Sequence, residues 1–207
     1  MIFFYTPYSC SMAAHLALEQ TGVDYEARLI DFTQNEQRSE AYLAINPKGR
    51  VPALQTEWGI LTETPAILAF ISQRFPEAKL APIEDPFRFA KVQEFNSYLC
   101  STVHVAHAHR LRGSRWADDP KAIESMQQKV AQNMTECFTL IEQQLLTGPY
   151  VMGADYSICD MYLFTICQWL ERDGVDIRRF PKVEQLCQQM LENPVVARIT
   201  ALYQPAS

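Results

Sequence analysis

The sequence predicts an α/β N-terminal half followed by an all-helical C-terminal half. Three observations carry that reading. Short apolar runs of strand length alternate with a helical stretch from Ile2 through Leu61, a proline-dense segment interrupts the chain at residues 76–86, and beyond it the apolar residues recur with helical spacing between breaker signals.

Ile2-Phe3-Phe4-Tyr5 is a first strand, Pro7-Tyr8-Ser9 breaks it, and Met12, Leu16 and Leu18 mark a helix that stops at Thr21-Gly22. Tyr25 to Ile30 alternates as a second strand, so the opening reads as a β-α-β unit, and Asp31 to Glu40 follows as a loop with room for a short helix. Val51 to Gln55 and Ile60-Leu61, separated by Glu57-Trp58-Gly59, read as a hairpin, after which Ala66 to Ile71 returns to a helix. Pro76, Pro82 and Pro86 rule out one continuous helix and place the boundary between a domain of residues 1–77 and one of residues 87–207. In the second, helices are expected over 87–112, 121–146, 158–172, 182–192 and 195–203, with Asp118-Asp119-Pro120, Thr147-Gly148-Pro149, Asp173-Gly174 and Asn193-Pro194 between them.

Composition narrows function by exclusion. A net charge of -6 gives no basic excess for a phosphate backbone, so nucleic acid is not an expected partner. No run approaches the roughly 18 apolar residues that span a bilayer, and Pro7 follows the first apolar run too soon for a secretory signal; no membrane association and a cytoplasmic location are expected. The 6 cysteines never form Cys-x-x-Cys, which suits free thiols in a reducing compartment.

Cys10 stands where the first strand-turn gives way to the first helix. A thiol there faces unpaired N–H groups and the positive end of the helix dipole, which lowers its pKa and makes it reactive. Ala13 stands where a dithiol protein would carry a resolving cysteine, so a disulfide at Cys10 takes its second sulfur from outside. A small residue packed under the helix explains Cys10 equally well. Ser9 and Ser11 can cap the helix or donate to a bound thiolate, and Tyr5 at the strand end is a third candidate donor.

Two further segments carry ligand chemistry. In Asn46-Pro-Lys-Gly-Arg-Val-Pro-Ala-Leu54, Pro52 opens a strand, the position that tolerates a cis X-Pro bond, and a cis Val51-Pro52 turns the Val51 amide outward; an ordinary trans edge proline is the alternative. In Thr62-Glu63-Thr64-Pro65, Thr64 is a natural N-cap with Pro65 at the first helical position, and the site can hold a carboxylate on backbone N–H groups and an ammonium on Glu63. A capped helix beside a solvated Glu is equally consistent.

Together these segments, in this order and spacing, resemble the cytosolic glutathione transferase superfamily over essentially the whole chain, most closely the bacterial beta class. Tyr5-Thr-Pro-Tyr-Ser-Cys10-Ser11 with Ala14-His15 is similar to the beta-class cysteine motif, Asn46 to Leu54 to the cis-proline loop, and Thr62 to Ile67 to the γ-glutamyl site. Ser157-Ile-Cys-Asp160 is similar to the family's capping box, with Ser157 and Asp160 structural. The resemblance implies a thioredoxin-like N-terminal domain that binds glutathione as co-substrate, a helical C-terminal domain that holds a hydrophobic electrophile, and a homodimer. It assigns Cys10 to the neighbourhood of the glutathione sulfur, with Ser11, Tyr5 and His104 as supports, His104 matching a histidine on the first long helix of the second domain. It gives the cysteinyl part of the ligand to Val51 beside Pro52, and the γ-glutamyl end to Glu63 and Thr64. Phe32-Thr-Gln-Asn35 departs from relatives that place a lysine there for the glycine carboxylate, leaving Arg38, Lys48 or a partner subunit to supply that cation. Conjugation to an electrophile is the activity implied, with thiol-disulfide exchange through Cys10 as a related mode; a non-catalytic binding or regulatory protein of the same fold is the alternative.

Cys100, His104 and His107 share a helical face with zinc-ligand chemistry, but no further ligand has motif spacing, and no metal is expected. His15 and His109 read as packed or solvated side chains. The stripes Phe95-Leu99-Val103 and Phe138-Ile141-Leu145 read as core.

Overall fold

The computed structural model describes residues 1–203, arranged as two compact units: Met1–Ala90 joined by the described residues from Met190 onward, and Lys91–Gln189. The first is thioredoxin-like. Strand β1 (Ile2–Tyr5) leads through a turn into helix α1 (Ser11–Thr21), then β2 (Glu26–Leu29), a short helix α2 (Glu40–Ile45), the hairpin β3 (Ala53–Thr56) and β4 (Gly59–Thr62), and helix α3 (Thr64–Arg74). The sheet order is β2-β1-β3-β4, with β1 parallel to β2, and β3 antiparallel to both β1 and β4.

Alternation along β1 builds the two faces of this sheet. Phe4 packs with Ile30, Tyr42, Val51 and Ala53 on the side of α2. Phe3 and Tyr5 point to the opposite side, where both rings meet His15 of α1, with centroids 5.2 and 5.1 Å away. Strand β2 is exposed along its length, as its place at the sheet edge dictates. Helix α10 (Pro194–Leu202) packs on α1 although it is last in the chain: Arg198 pairs with Glu19, and Tyr203 bonds to Ser11 and His15.

The second unit is helical. Helix α4 (Pro86–Tyr98) runs through a π-helical turn at Leu99–Val103 into α5 (His104–Arg112); α6 (Pro120–Gln128), α7 (Val130–Leu140), α8 (Ile158–Cys167) and α9 (Pro181–Glu192) follow. Helix α4 begins and α9 ends in residues of the first unit. The stretch expected as a single helix over 121–146 is broken at Lys129, and the last π-helical turn, Ile141–Leu145, ends it. Phe95, Leu99, Val103, Phe138 and Ile141 are buried, and α8 is buried along its whole length, Tyr162 and Phe164 included. Its start is fixed by a reciprocal capping box: the Cys159 amide donates to Ser157 Oγ, and the Asp160 carboxylate accepts from the Ser157 amide at 2.8 Å and the Val151 amide at 2.7 Å. No helix among the described residues is long and apolar enough to cross a membrane.

Candidate active site

In the first unit contacts link three chain segments in series, beginning at Cys10. Cys10 is the N-cap residue of α1, 9% exposed, and its thiol donates to the Val51 carbonyl at 3.7 Å. The Val51-Pro52 peptide is cis, at the entry to β3. The loop before it is held by the Asn46 side chain and the Tyr42 hydroxyl, which both donate to the Arg50 carbonyl at 2.7 Å. The same loop reaches α3, because the Lys48 ammonium donates to Thr62 Oγ1 and to the Glu63 carboxylate. The N-terminus of α1, the cis-proline loop and the N-terminus of α3 therefore share one side of the unit.

Glu63 has φ of 71°, a left-handed conformation that turns β4 sharply into α3 and leaves its side chain exposed. This corrects the expectation that Thr64 is the N-cap. Glu63 occupies that position, Thr64 is already helical and buried, and Pro65 falls in the second helical position, where its missing N–H is still harmless. Gly49 packs equally tightly: a Cβ there would lie 2.9 Å from the Gln37 carbonyl oxygen and 3.0 Å from an Arg38 guanidinium nitrogen, at φ of 59°. The cis-proline loop is thus seated on the residues after β2, and the exposed Arg38 guanidinium is brought beside it.

The other candidate donors differ in depth: Ser11 is buried and Tyr5 is half-buried. Ser11 is fully buried, and its hydroxyl accepts from the Thr6 amide, donates to the Thr6 carbonyl, and contacts Ser9 Oγ at 2.6 Å and Tyr203 Oη at 3.2 Å. Its bonds hold the turn before α1. Tyr5 lies in an aromatic cluster with Phe3, His15 and Tyr203. Burial pushes the His15 pKa down to about 4, so its ring is neutral in the folded chain, with Nδ1 3.3 Å from the Tyr203 hydroxyl.

In the second unit His104 opens α5 directly after the π-helical turn, half-buried, its ring 4.9 Å from that of Trp169. His107, one turn on, gives Nδ1 to the Asp173 carboxylate at 2.7 and 3.0 Å rather than to a metal set with Cys100 and His104. No cluster of three or more potential metal-ligating side chains occurs among the described residues. His109 packs edge-on against Trp116. Asp173, read in the sequence only as a helix-breaker, is a buried acceptor; its partner His107 lies 66 positions earlier, and no local pattern announces it.

Residues 1–73 match the glutathione S-transferase N-terminal domain family, and residues 107–199 match the glutathione S-transferase C-terminal domain family. The chain is a member of the glutathione S-transferase family. A Sulfitobacter glutathione transferase homologue, solved with bound glutathione, is 43% identical and superposes with a TM-score of 0.93 over 97% of each chain. A beta-class glutathione S-transferase of Sphingomonas chungbukensis is 28% identical, with a TM-score of 0.84 over 98% of each chain. A maleylacetoacetate isomerase of Pseudomonas aeruginosa is 27% identical over 97% of this chain and 96% of its own. Like these relatives, this family member joins a thioredoxin-like sheet unit to helices.

Proposed function

We propose that this chain is a glutathione transferase that binds glutathione across Cys10, the cis-proline loop and the start of α3, and delivers its thiolate to a hydrophobic electrophile. The observation that carries the reading is the convergence of the Cys10 thiol, the Val51 carbonyl and the Lys48–Glu63 pair on one side of the first unit. The Sulfitobacter relative with bound glutathione supports the same ligand.

Each group has a role in that reading. Glu63 takes the ligand's α-ammonium, the amides at the start of α3 beside Thr64 take its α-carboxylate, and the Val51 peptide beside Pro52 pairs with its cysteinyl segment. Arg38 and Lys48 are the cations within reach of the loop for the glycine carboxylate. Cys10 lies next to the ligand sulfur, Ser11 and Tyr5 support the turn and strand that present it, and His104 is a further candidate support. The glutathione thiol loses its proton to solvent, the thiolate forms a C–S bond, and the electrophile's leaving group departs with the displaced electron pair. Catalysis then rests on positioning and on donors to sulfur rather than on a strong base. In the thiol-exchange mode the Cys10 thiolate attacks the glutathionyl sulfur of a glutathione mixed disulfide and expels the other half as a thiolate; a second glutathione thiolate then attacks that glutathionyl sulfur, releasing the Cys10 thiolate and glutathione disulfide.

A second reading follows from the isomerase relative: the thiolate adds to a conjugated double bond, the resulting single bond rotates, and elimination regenerates glutathione. Initial rates with glutathione and an activated aryl halide, with a conjugated enone acid, and with a small disulfide separate these modes. Conjugation consumes glutathione and isomerisation does not. Cys10→Ala is expected to abolish disulfide reduction and keep conjugation. No turnover of any of the three, with millimolar glutathione giving no rise in Tm, would overturn the glutathione transferase reading.

A further inference from the structure

Helix α5 places His104, His107 and Arg110 at successive turns, and the latter two converge on one carboxylate. The Asp173 side chain is 0% exposed; it accepts from His107 Nδ1 at 2.7 Å, and Arg110 Nε lies 3.1 Å away. A carboxylate on Nδ1 fixes His107 with its proton there and orients the ring. That ring lies nearly parallel to the Trp169 indole, centroids 4.3 Å apart at 25°, and the indole's other neighbour is His104 at 4.9 Å. The Asp173 amide also donates to the Trp169 carbonyl at 3.1 Å, so a single residue anchors both the backbone of Trp169 and the ring stacked on it.

We propose that Asp173 is the positioning residue for the His104 imidazole, acting through the ring of His107 and the indole of Trp169. A π-helical turn at Leu99–Val103 directly precedes His104, a feature frequent at functional sites. The His104 ring also lies 6.3 Å from that of His107, so the buried Asp173 carboxylate reaches it through the rings of His107 and Trp169 and restricts its rotamers without touching the reacting atoms. The proposal rests on the reading above that gives His104 a part in the chemistry.

The test is the long-range proton–nitrogen spectrum of the 4 imidazoles in the full-length, nitrogen-15-labelled chain, recorded well above the ordinary histidine pKa of about 6.5, alongside steady-state conjugation of glutathione to an activated aryl halide. Wild type is expected to show His107 protonated at Nδ1 and a single His104 environment. In Asp173→Asn the His107 tautomer changes and the His104 ring signals move and broaden. Its kcat falls on the order of 10- to 100-fold while the KM for glutathione holds. His107→Asn, whose amide reproduces the bond to Asp173 but removes the ring, is expected to disturb His104 in the same way and serves if Asp173→Asn does not fold. Unchanged His104 signals with unchanged kcat in either folded variant overturn the proposal. His104→Ala with wild-type kcat overturns instead the part given to His104, whatever the spectra of the other variants show.

Discussion

The Lys48 ammonium rests on the Glu63 carboxylate at 2.5 Å, so the group that the proposed reading assigns to the ligand's ammonium already holds one of the protein's own. In that reading, binding exchanges one ammonium for another and frees Lys48 for a ligand carboxylate. Both side chains are about half exposed, and such a pair contributes only about 0–1 kcal/mol to the fold. Lys48→Met should therefore leave chemical denaturation nearly unchanged while raising the KM for glutathione. Glu63→Gln should raise that KM by about tenfold or more, the range of a hydrogen bond to a charged group. A glutathione analogue lacking the α-amino group separates binding from folding: it should inhibit wild type and Glu63→Gln equally. Unequal inhibition would remove Glu63 from the ammonium.

Tyr203 ties the end of the described chain to the start of α1. Its hydroxyl lies between Ser11 Oγ and His15 Nδ1, all three groups buried, and burial drives its own pKa well above the ordinary phenol value. Tyr203→Phe leaves a buried ring nitrogen without this partner, at a cost of about 1–3 kcal/mol. Urea denaturation should show that loss, and alkylation of Cys10 should change in rate because Ser11 holds the turn that presents it. A variant as stable as wild type with unaltered alkylation contradicts the role given to Tyr203.

Two buried groups give opposite pH dependences in nearly the same window. Burial lowers the His15 pKa from 6.5 to about 4, so the unfolded chain binds the extra proton between those values; this contribution is complete above the unfolded value and is lost as pH falls towards 4. Burial raises the Asp160 pKa from 3.8 to about 6 against the pull of its hydrogen bonds, so here the folded chain holds the extra proton, and stability is lost as pH rises from 3.8 to about 6. Each is on the order of 3 kcal/mol, and in wild type they largely cancel. Asp160→Asn should expose the His15 slope, with stability falling on acidification, and His15→Asn the opposite one. Parallel stability–pH curves for the three proteins would contradict this.

The strand-helix alternation of the first unit was legible because its signals are local: period-two apolar runs, Gly22 after α1, and Pro52 at a strand start. The capping box of α8 was legible for the same reason, both partners lying within one turn. Thr64 misled because sequence patterns carry no sign of φ; the left-handed Glu63 shifted the cap by one residue. Ser11 stands in a local motif, but its hydroxyl contacts Tyr203, 192 positions away, as well as its neighbours Thr6 and Ser9. The Asp173–His107 pair and the packing of α10 on α1 are likewise long-range facts. The breaks inside residues 87–112 and 121–146 arise from π-helical turns and a kink at Lys129, where no proline or glycine marks them.

The central claim is that glutathione binds with its sulfur at Cys10. Intact-mass analysis after incubation with oxidised glutathione, followed by peptide mapping, tests it most directly. One glutathionyl adduct is expected, on the peptide containing Cys10, reversed by reductant and absent in Cys10→Ala. An unmodified Cys10, or adducts spread over the other cysteines with Cys10 spared, would contradict it.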